Sequence, residues 1–443
     1  MLNKLKSHKG FMKYFKNTSW LFGEKFFRMF VGMFIGVLIA RYLGPDQFGL
    51  LNYVISFVGL FGIIATLGIN NIIVKKLLND EKSQDTILGT AFGIRIFGSI
   101  ILMFILTIFM QFTSNDSSTN MYIYILAFST VVLSFNVIDL FFQSHVQSKF
   151  VASSNLFALI VTSIIKVYLI VVEAPLIAFI VVILFDSFIL ASSLIYFYFK
   201  TNNNIFKWSF DVKFAKQILK ESWPLVLAGL AASVYLKIDQ IMLMEMVGNK
   251  AVGHYAAAVR ISEAWYFIPI AISASLFPAI INAKKIDNAL YSERLQQLFS
   301  FLVWFAVLIA IPMTFFSEIL INTLYGEAYF QAGPVLMLHI WSAVFIFLGE
   351  ASTRWFISEN LQKYLFYRTA MGAILNIFLN YILIGKYGVY GAALATIISQ
   401  FFSVYIFNLF GKNTWPVFKL QTLAFFAPYI YAKKYLINRQ RNT

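Results

Sequence analysis

The sequence predicts an all-α polytopic membrane protein, twelve transmembrane helices arranged as two parallel six-helix bundles, and three observations carry that expectation. The 443 residues are 60% hydrophobic and only 12% charged, with 49 Phe, where a soluble chain carries about 25% charge. Twelve apolar runs each approach the ~20 residues that span a bilayer. A glycine-bearing turn between the first two runs is echoed between the seventh and eighth.

Taken in order, residues 1–16 form a basic, cytoplasmic N-terminus; no small-residue cleavage site follows it, so it reads as retained. The first bundle, 17–199, holds runs at roughly 18–40, 48–73, 87–112, 121–144, 152–173 and 175–199. Residues 200–220 are a basic cytoplasmic linker. The second bundle, 221–411, holds runs at roughly 221–244, 251–282, 296–317, 334–357, 362–384 and 388–411. The tail, 412–443, contains a partly apolar piece from Leu420 to Leu436, interrupted by Lys433 and Lys434, and reads as cytoplasmic and interfacial.

Charge distribution sets the orientation. Of the 35 Lys and Arg, 25 fall in the termini and alternate connections, and only Arg41, Lys250 and Lys386 fall in the opposite connections. Cytoplasmic segments of membrane proteins collect such residues, so both termini are expected inside, and the net charge of +15 reports topology rather than nucleic-acid binding. The outer connections are short, the longest being Glu318 to Gly333. That leaves no room for the external domain an integral-membrane glycan polymerase or ligase would use, and no enzyme is expected. With no Cys, four scattered His and no GxxxxGK[ST] loop, neither metal nor nucleotide cofactor is expected.

Leu43-Gly44-Pro45-Asp46-Gln47-Phe48-Gly49 and Val247-Gly248-Asn249-Lys250-Ala251-Val252-Gly253 lie 204 residues apart, about one six-helix unit. Their first glycines suit tight interhelical turns with positive φ, and an even number of helices per unit makes the repeats parallel. The stretch from Tyr235 to Asn282 carries Lys237, Asp239, Arg260 and Glu263 inside apolar runs. Charge at such depth costs at least about 2.5–3.5 kcal/mol per residue on insertion scales, so these side chains are expected to face protein or a wet cavity rather than lipid.

At ARYLGPDQFGLLNYVISF (Ala40 to Phe57) and IDQIMLMEMVGNKAVGHYAAAVRISEAWYFIPIAISASLFPAI (Ile238 to Ile281), the chain resembles the Wzx-type O-antigen flippases of the multidrug/oligosaccharidyl-lipid/polysaccharide (MOP) exporter superfamily. The resemblance implies a V-shaped transporter of the bacterial inner membrane. It would move an undecaprenyl-diphosphate-linked oligosaccharide from the cytoplasmic to the periplasmic leaflet by alternating access, coupled to an ion gradient. Its partners would be that substrate, membrane lipids, and a glycan polymerase and chain-length regulator. A MATE-like, cation-coupled exporter of small molecules is the alternative from the same architecture, and an integral-membrane glycan polymerase or ligase is the lesser one.

A diphosphate headgroup calls for cationic side chains in a polar chamber. Arginine suits it best, because its planar fork donates two parallel hydrogen bonds and stays charged. The substrate-binding candidates are Arg28, Arg95, Arg260 and Arg354, supported by Lys25 and Lys237; Lys166 has room to snorkel. The competing reading is structural, since Glu24–Arg28 and Glu350–Arg354 are spaced i,i+4 and Arg260–Glu263 i,i+3, spacings that pair neighbours on one helix face. Asp139, Asp186, Asp239 and Glu263 are the candidates for loading a coupling proton or sodium ion. Pro269, Pro278 and Pro312 are candidate bends, and Trp223, Trp265, Trp341 and Trp355 are expected as headgroup anchors.

Overall fold

The computed structural model describes residues 9–79 and 83–430; Lys4, Lys6 and Lys82 of the expected cytoplasmic set, and the tail from residue 431 onward, lie outside the described residues. Among the described residues every regular element is helical, as a chain without water to satisfy its backbone requires. Eleven stretches among the described residues are long and apolar enough to cross a membrane. One of them, Gly23–Asn79, has 57 residues, about 85 Å at 1.5 Å per residue, far beyond a ~30 Å hydrocarbon core. It is broken at Gly44 and supplies two crossings, in agreement with the twelve apolar runs.

The chain divides into two compact units, Met1–Ile241 and Met242–Thr443. The boundary falls inside a helix, later than the 200–220 linker read from the sequence. The reason is packing: Ala215 and Ile218 are buried in the core of the first unit, and Ser56 Oγ donates to Gln240 Oε1 at 2.9 Å.

The first unit contains α1 (Lys9–Thr66), α2 (Asn70–Asn79), α3 (Gln84–Met110), α4 (Ser117–Val132), α5 (Val137–Ser144), α6 (Ser148–Val171), α7 (Leu176–Lys200) and most of α8 (Val212–Met246). Helix α1 packs on α3, α4 and α6, and α7 packs on α4 and α6. Between α4 and α5 the helix tightens into a 3-10 turn, Leu133–Asn136. Asp116 caps α4, its carboxylate accepting from the Thr119 amide at 2.8 Å. Hydrogen bonds from Thr119 hold that carboxyl below its ordinary range, so the cap's contribution is present at neutral pH and lost as pH falls through that lowered range.

The second unit contains α9 (Asn249–Glu263), a 3-10 turn (Ala264–Tyr266), α10 (Phe267–Ile286), α11 (Asn288–Tyr325), α12 (Ala332–His339), α13 (Ser342–Ser358), α14 (Lys363–Tyr387), α15 (Val389–Val404) and α16 (Trp415–Phe425). Helix α11 packs on α10, α12, α13 and α16, and α15 packs on α13 and α14. Pro269 explains the 3-10 turn, because a proline cannot donate to the carbonyl four residues back, here that of Trp265, and its ring crowds it. Pro278 and Pro312 are accommodated within continuous helices.

Three expectations change. The outer connection expected from Glu318 to Gly333 is mostly helix: α11 runs to Tyr325 and ends at Gly326 (φ 89°). Trp355 is a core residue at 5% exposure, not a headgroup anchor. The segment after Gly411 holds a docked helix, α16, whose Val417, Gln421 and Ala424 are fully buried.

The repeated glycines adopt the expected backbone. Gly44 (φ 68°, ψ 172°) and Gly248 (φ 110°, ψ −178°) occupy a region open essentially to glycine alone. A Cβ at either site would meet no atom within 4 Å, so the cost of a side chain is conformational rather than steric. Gly44→Ala and Gly248→Ala are each expected to lose about 1–3 kcal/mol, read as a lower melting temperature of the purified protein in detergent. Variants that melt like the wild type would show that neither turn depends on its glycine.

Candidate functional site

In the first unit, α1, α5 and α6 enclose a polar cavity of about 490 Å³. Glu24, Lys25 and Arg28 enter it from α1, Asp139 and Gln143 from α5, and Asn155 from α6. Asp139 and Gln143 lie in the last turns of α5, which ends at Ser144, and Asn155 in the first turns of α6, which begins at Ser148.

Its electrostatics are asymmetric. Arg28 Nε donates to Glu24 Oε1 at 2.7 Å, and Nη2 reaches the same oxygen. The Glu24 side chain is 2% exposed, that of Arg28 47%. One helical turn thus seals a carboxylate beneath a guanidinium and leaves the guanidinium open, with Lys25 exposed beside it. A guanidinium has five N–H donors in a fixed fork, and the glutamate engages those of Nε and Nη2. The remainder can grip an incoming oxyanion. Across the cavity Gln143 Nε2 donates to Asp139 Oδ1 at 3.0 Å.

Arg95 stands behind this wall. It is 5% exposed, and its Nη2 donates to Asn70 Oδ1 at 2.7 Å and Nη1 to the Leu133 carbonyl at 3.4 Å. Among the described residues its Nε has no hydrogen-bond partner. Asp139 lies within electrostatic reach of Arg95, Lys25 and Glu24. The 3-10 turn between α4 and α5 presents the Leu133 carbonyl, and the residues just beyond it carry Asp139.

The structure therefore gathers Lys25, Arg28 and Asp139 into one cavity with Arg95 in its electrostatic shell, and adds Glu24, Gln143 and Asn155. The other predicted residues of this unit line other places. Asp186 on α7 accepts from Thr162 Oγ1 on α6 at 3.1 Å. On α8, Asp239 is buried and Lys237 half-buried. In the second unit Arg354 pairs with Glu350 at 2.8 Å, as their spacing predicts, and lies 5.9 Å from the centre of the Phe277 ring. Arg260 is half-buried within electrostatic reach of Tyr325, and Glu263 is exposed. Beside Arg354, the Arg368 guanidinium donates to Thr353 Oγ1 at 3.2 Å, a basic residue that the sequence placed in a cytoplasmic connection.

Glu24 had a signal, its i,i+4 spacing to Arg28. Gln143, four residues after Asp139, and Asn155 are polar residues in apolar runs that sequence reasoning did not assign to a site. Asn70 had no signal.

The family comparisons agree with this architecture. Residues 14–284 match the family model "Polysaccharide biosynthesis protein" and residues 224–382 match the MatE model. An uncharacterized membrane protein of Methanocaldococcus jannaschii is 30% identical over 216 residues, 48% of each chain. A putative O-antigen transporter of Shigella dysenteriae is 25% identical over 183 residues, 41% of this chain and 46% of that one. These matches span about half the length of those relatives. The capsular polysaccharide biosynthesis protein CapF of Staphylococcus aureus is 22% identical over 90% of this chain and 99% of its own. Among solved structures, an inward-facing MATE-family multidrug resistance transporter of the MOP superfamily aligns with TM-score 0.73 at 14% identity, covering 89% of this chain and 95% of that one. The lipid II flippase MurJ, in an inward closed conformation, aligns with TM-score 0.70 at 16% identity, covering 93% and 92%. At those identities the likeness is one of fold. A multi-pass helical chain with this fold, matched over more than half its length by one family model, belongs to the polysaccharide biosynthesis protein family.

Proposed function

We propose that the chain is a flippase that carries a lipid-linked oligosaccharide, with an undecaprenyl-diphosphate anchor, from the cytoplasmic to the periplasmic leaflet of a bacterial inner membrane by alternating access. The observation that carries the reading is the open Arg28 guanidinium over a sealed Glu24 in a polar cavity. An anionic headgroup arriving there gains charge-assisted hydrogen bonds from Arg28 and the Lys25 ammonium. Gln143 and Asn155 offer amides to sugar hydroxyls. A proton delivered to the Glu24 carboxylate would loosen its hold on Arg28 and free more of the fork for phosphate. That couples an ion gradient to substrate binding with Asp139 as a neighbouring acid. The names of the Shigella and Staphylococcus relatives place those proteins in surface-polysaccharide pathways, and the same pathway would supply the substrate here.

The test is transport by the purified protein in proteoliposomes loaded with a lipid-linked oligosaccharide. Replacing Arg28 and Lys25 together with glutamine is expected to slow flipping, per folded protein recovered, by about tenfold or more, equivalent to about 1.4 kcal/mol. Wild-type flipping by the doubly substituted protein would overturn the proposal.

A second reading, export of small organic cations, is favoured by the MatE match over 224–382 and by the two carboxylates in the same cavity. Efflux of a fluorescent cation that disappears in Glu24→Gln and Asp139→Asn, without any effect on flipping, would select it.

A further inference from the structure

A second feature of the first unit lies outside the polar cavity. Between α6 and α7 a groove of about 720 Å³ opens on the outer surface of the bundle. Its walls are aromatic, with Phe157 from α6 and Phe185, Phe188, Tyr196 and Phe197 from α7. Small residues make the space: Ser153, Ser192 and Ser193 lie on the lining, and Ser193 Oγ donates to Ser154 Oγ at 3.0 Å, tying the two helices beneath it.

The groove has a length and a polarity. From Phe185 to Phe197 is twelve residues of helix, about 18 Å at 1.5 Å per residue, close to half of a ~30 Å hydrocarbon core. It therefore runs the depth of one leaflet. At its Phe197 end stand two exposed ammonium groups. Lys200 Nζ lies 6.0 Å from the centre of the Tyr196 ring. Lys149 Nζ lies 4.7 Å from the Phe150 ring, which in turn is 5.1 Å from the Phe197 ring. At the opposite end the lining is Phe157, Phe185 and Phe188, with no basic group on it, and the Asp186–Thr162 hydrogen bond joins the two helices beside it. Lys149 and Lys200 both belong to the connections that the distribution of basic residues assigns to the cytoplasm.

From this geometry we infer that the α6/α7 groove is a binding site for one anionic phospholipid of the cytoplasmic leaflet, with an acyl chain between the aromatic walls and the phosphodiester between Lys149 and Lys200. Two separate ammonium point charges match a singly charged phosphodiester; the arginine forks that grip a diphosphate lie in the polar cavity instead. The assignment is independent of what the protein transports.

Native mass spectrometry of the full-length protein in detergent tests it, using phosphatidylglycerol, phosphatidylcholine with the same chains, and undecaprenyl diphosphate as probes. Phosphatidylglycerol is expected to be retained about tenfold more strongly than phosphatidylcholine, given that each interfacial lysine favours an anionic surface severalfold. Lys149→Gln with Lys200→Gln should reduce it to the phosphatidylcholine level, since both side chains are exposed and the fold does not depend on them. Ser192→Trp, which fills the groove from its lining, should weaken retention of both phospholipids. Three results would overturn the assignment: equal retention of the two phospholipids by the wild type, a preference for phosphatidylglycerol that survives the double substitution, or displacement of phosphatidylglycerol by equimolar undecaprenyl diphosphate. Loss of flipping in Arg28→Gln, or its persistence, moves none of these outcomes.

Discussion

Replacing Arg95 with alanine is expected to lower stability by about 3 kcal/mol, the scale on which losing one side of a buried charged arrangement is felt. The side chain is 5% exposed and links three elements: its own helix α3, Asn70 at the start of α2, and the Leu133 carbonyl in the 3-10 turn. Its removal leaves the Asn70 carbonyl oxygen without its charged donor. It also leaves Asp139 without the cation behind it. Thermal melting of the purified variant measures the loss, and a double-mutant cycle assigns its cause. Combined with Asp139→Asn, the penalty should shrink by about 1 kcal/mol or more, because the neutral amide no longer needs a countercharge. Strictly additive losses would mean that Arg95 does not compensate Asp139. The guanidinium would then be only a hydrogen-bonding strut for α2 and the 3-10 turn.

The second large effect is expected at Gln421, in α16. Its side chain is fully buried. Nε2 donates to Ser352 Oγ at 2.7 Å and to the Val404 carbonyl at 3.0 Å, and Oε1 accepts from Asn408 Nδ2 at 3.0 Å. Thr414 Oγ1 donates to the Asn408 carbonyl at 2.9 Å. Helices α13, α15 and α16 therefore meet at one polar knot. Gln421→Leu keeps the apolar volume and breaks three hydrogen bonds, at about 0.6 kcal/mol each in membrane proteins, so a loss of about 2 kcal/mol is expected. Ending the chain at Gly411 removes the helix whole, together with the buried faces of Val417 and Ala424. That form is expected to be degraded in cells. Its accumulation at wild-type levels, or unchanged melting of Gln421→Leu, would show that α16 is an appendage.

The crossings were legible because hydropathy over about twenty residues is a strong signal, and the turns at Gly44 and Gly248 because only glycine rests comfortably there. Two things were not legible. Helices apolar all round give no stripe to say which face turns inward, so the sequence placed Arg28, Arg95 and Glu263 alike at membrane depth. The structure leaves Arg28 open, buries Arg95 and exposes Glu263. Local interruptions were readable only where proline marks them. Pro269 announces the turn at Ala264–Tyr266, whereas Leu133–Asn136 contains neither proline nor glycine, and it is this turn that aims a carbonyl at Arg95. Of the candidate site, the residue types and the i,i+4 partner were visible in advance. Which of them share a cavity depended on contacts of α1 with α5 and α6, more than a hundred residues further along the chain.

The knot around Gln421 bears on how the protein is made. Ser352, Val404 and Asn408 leave the ribosome 69, 17 and 13 residues before Gln421, so until α16 is made their polar groups must be held by water, by the insertion machinery or by one another. Assembly of this part of the second unit therefore waits for α16, and a pause in translation just upstream of it would leave a membrane-inserted but incomplete bundle exposed to quality-control proteases.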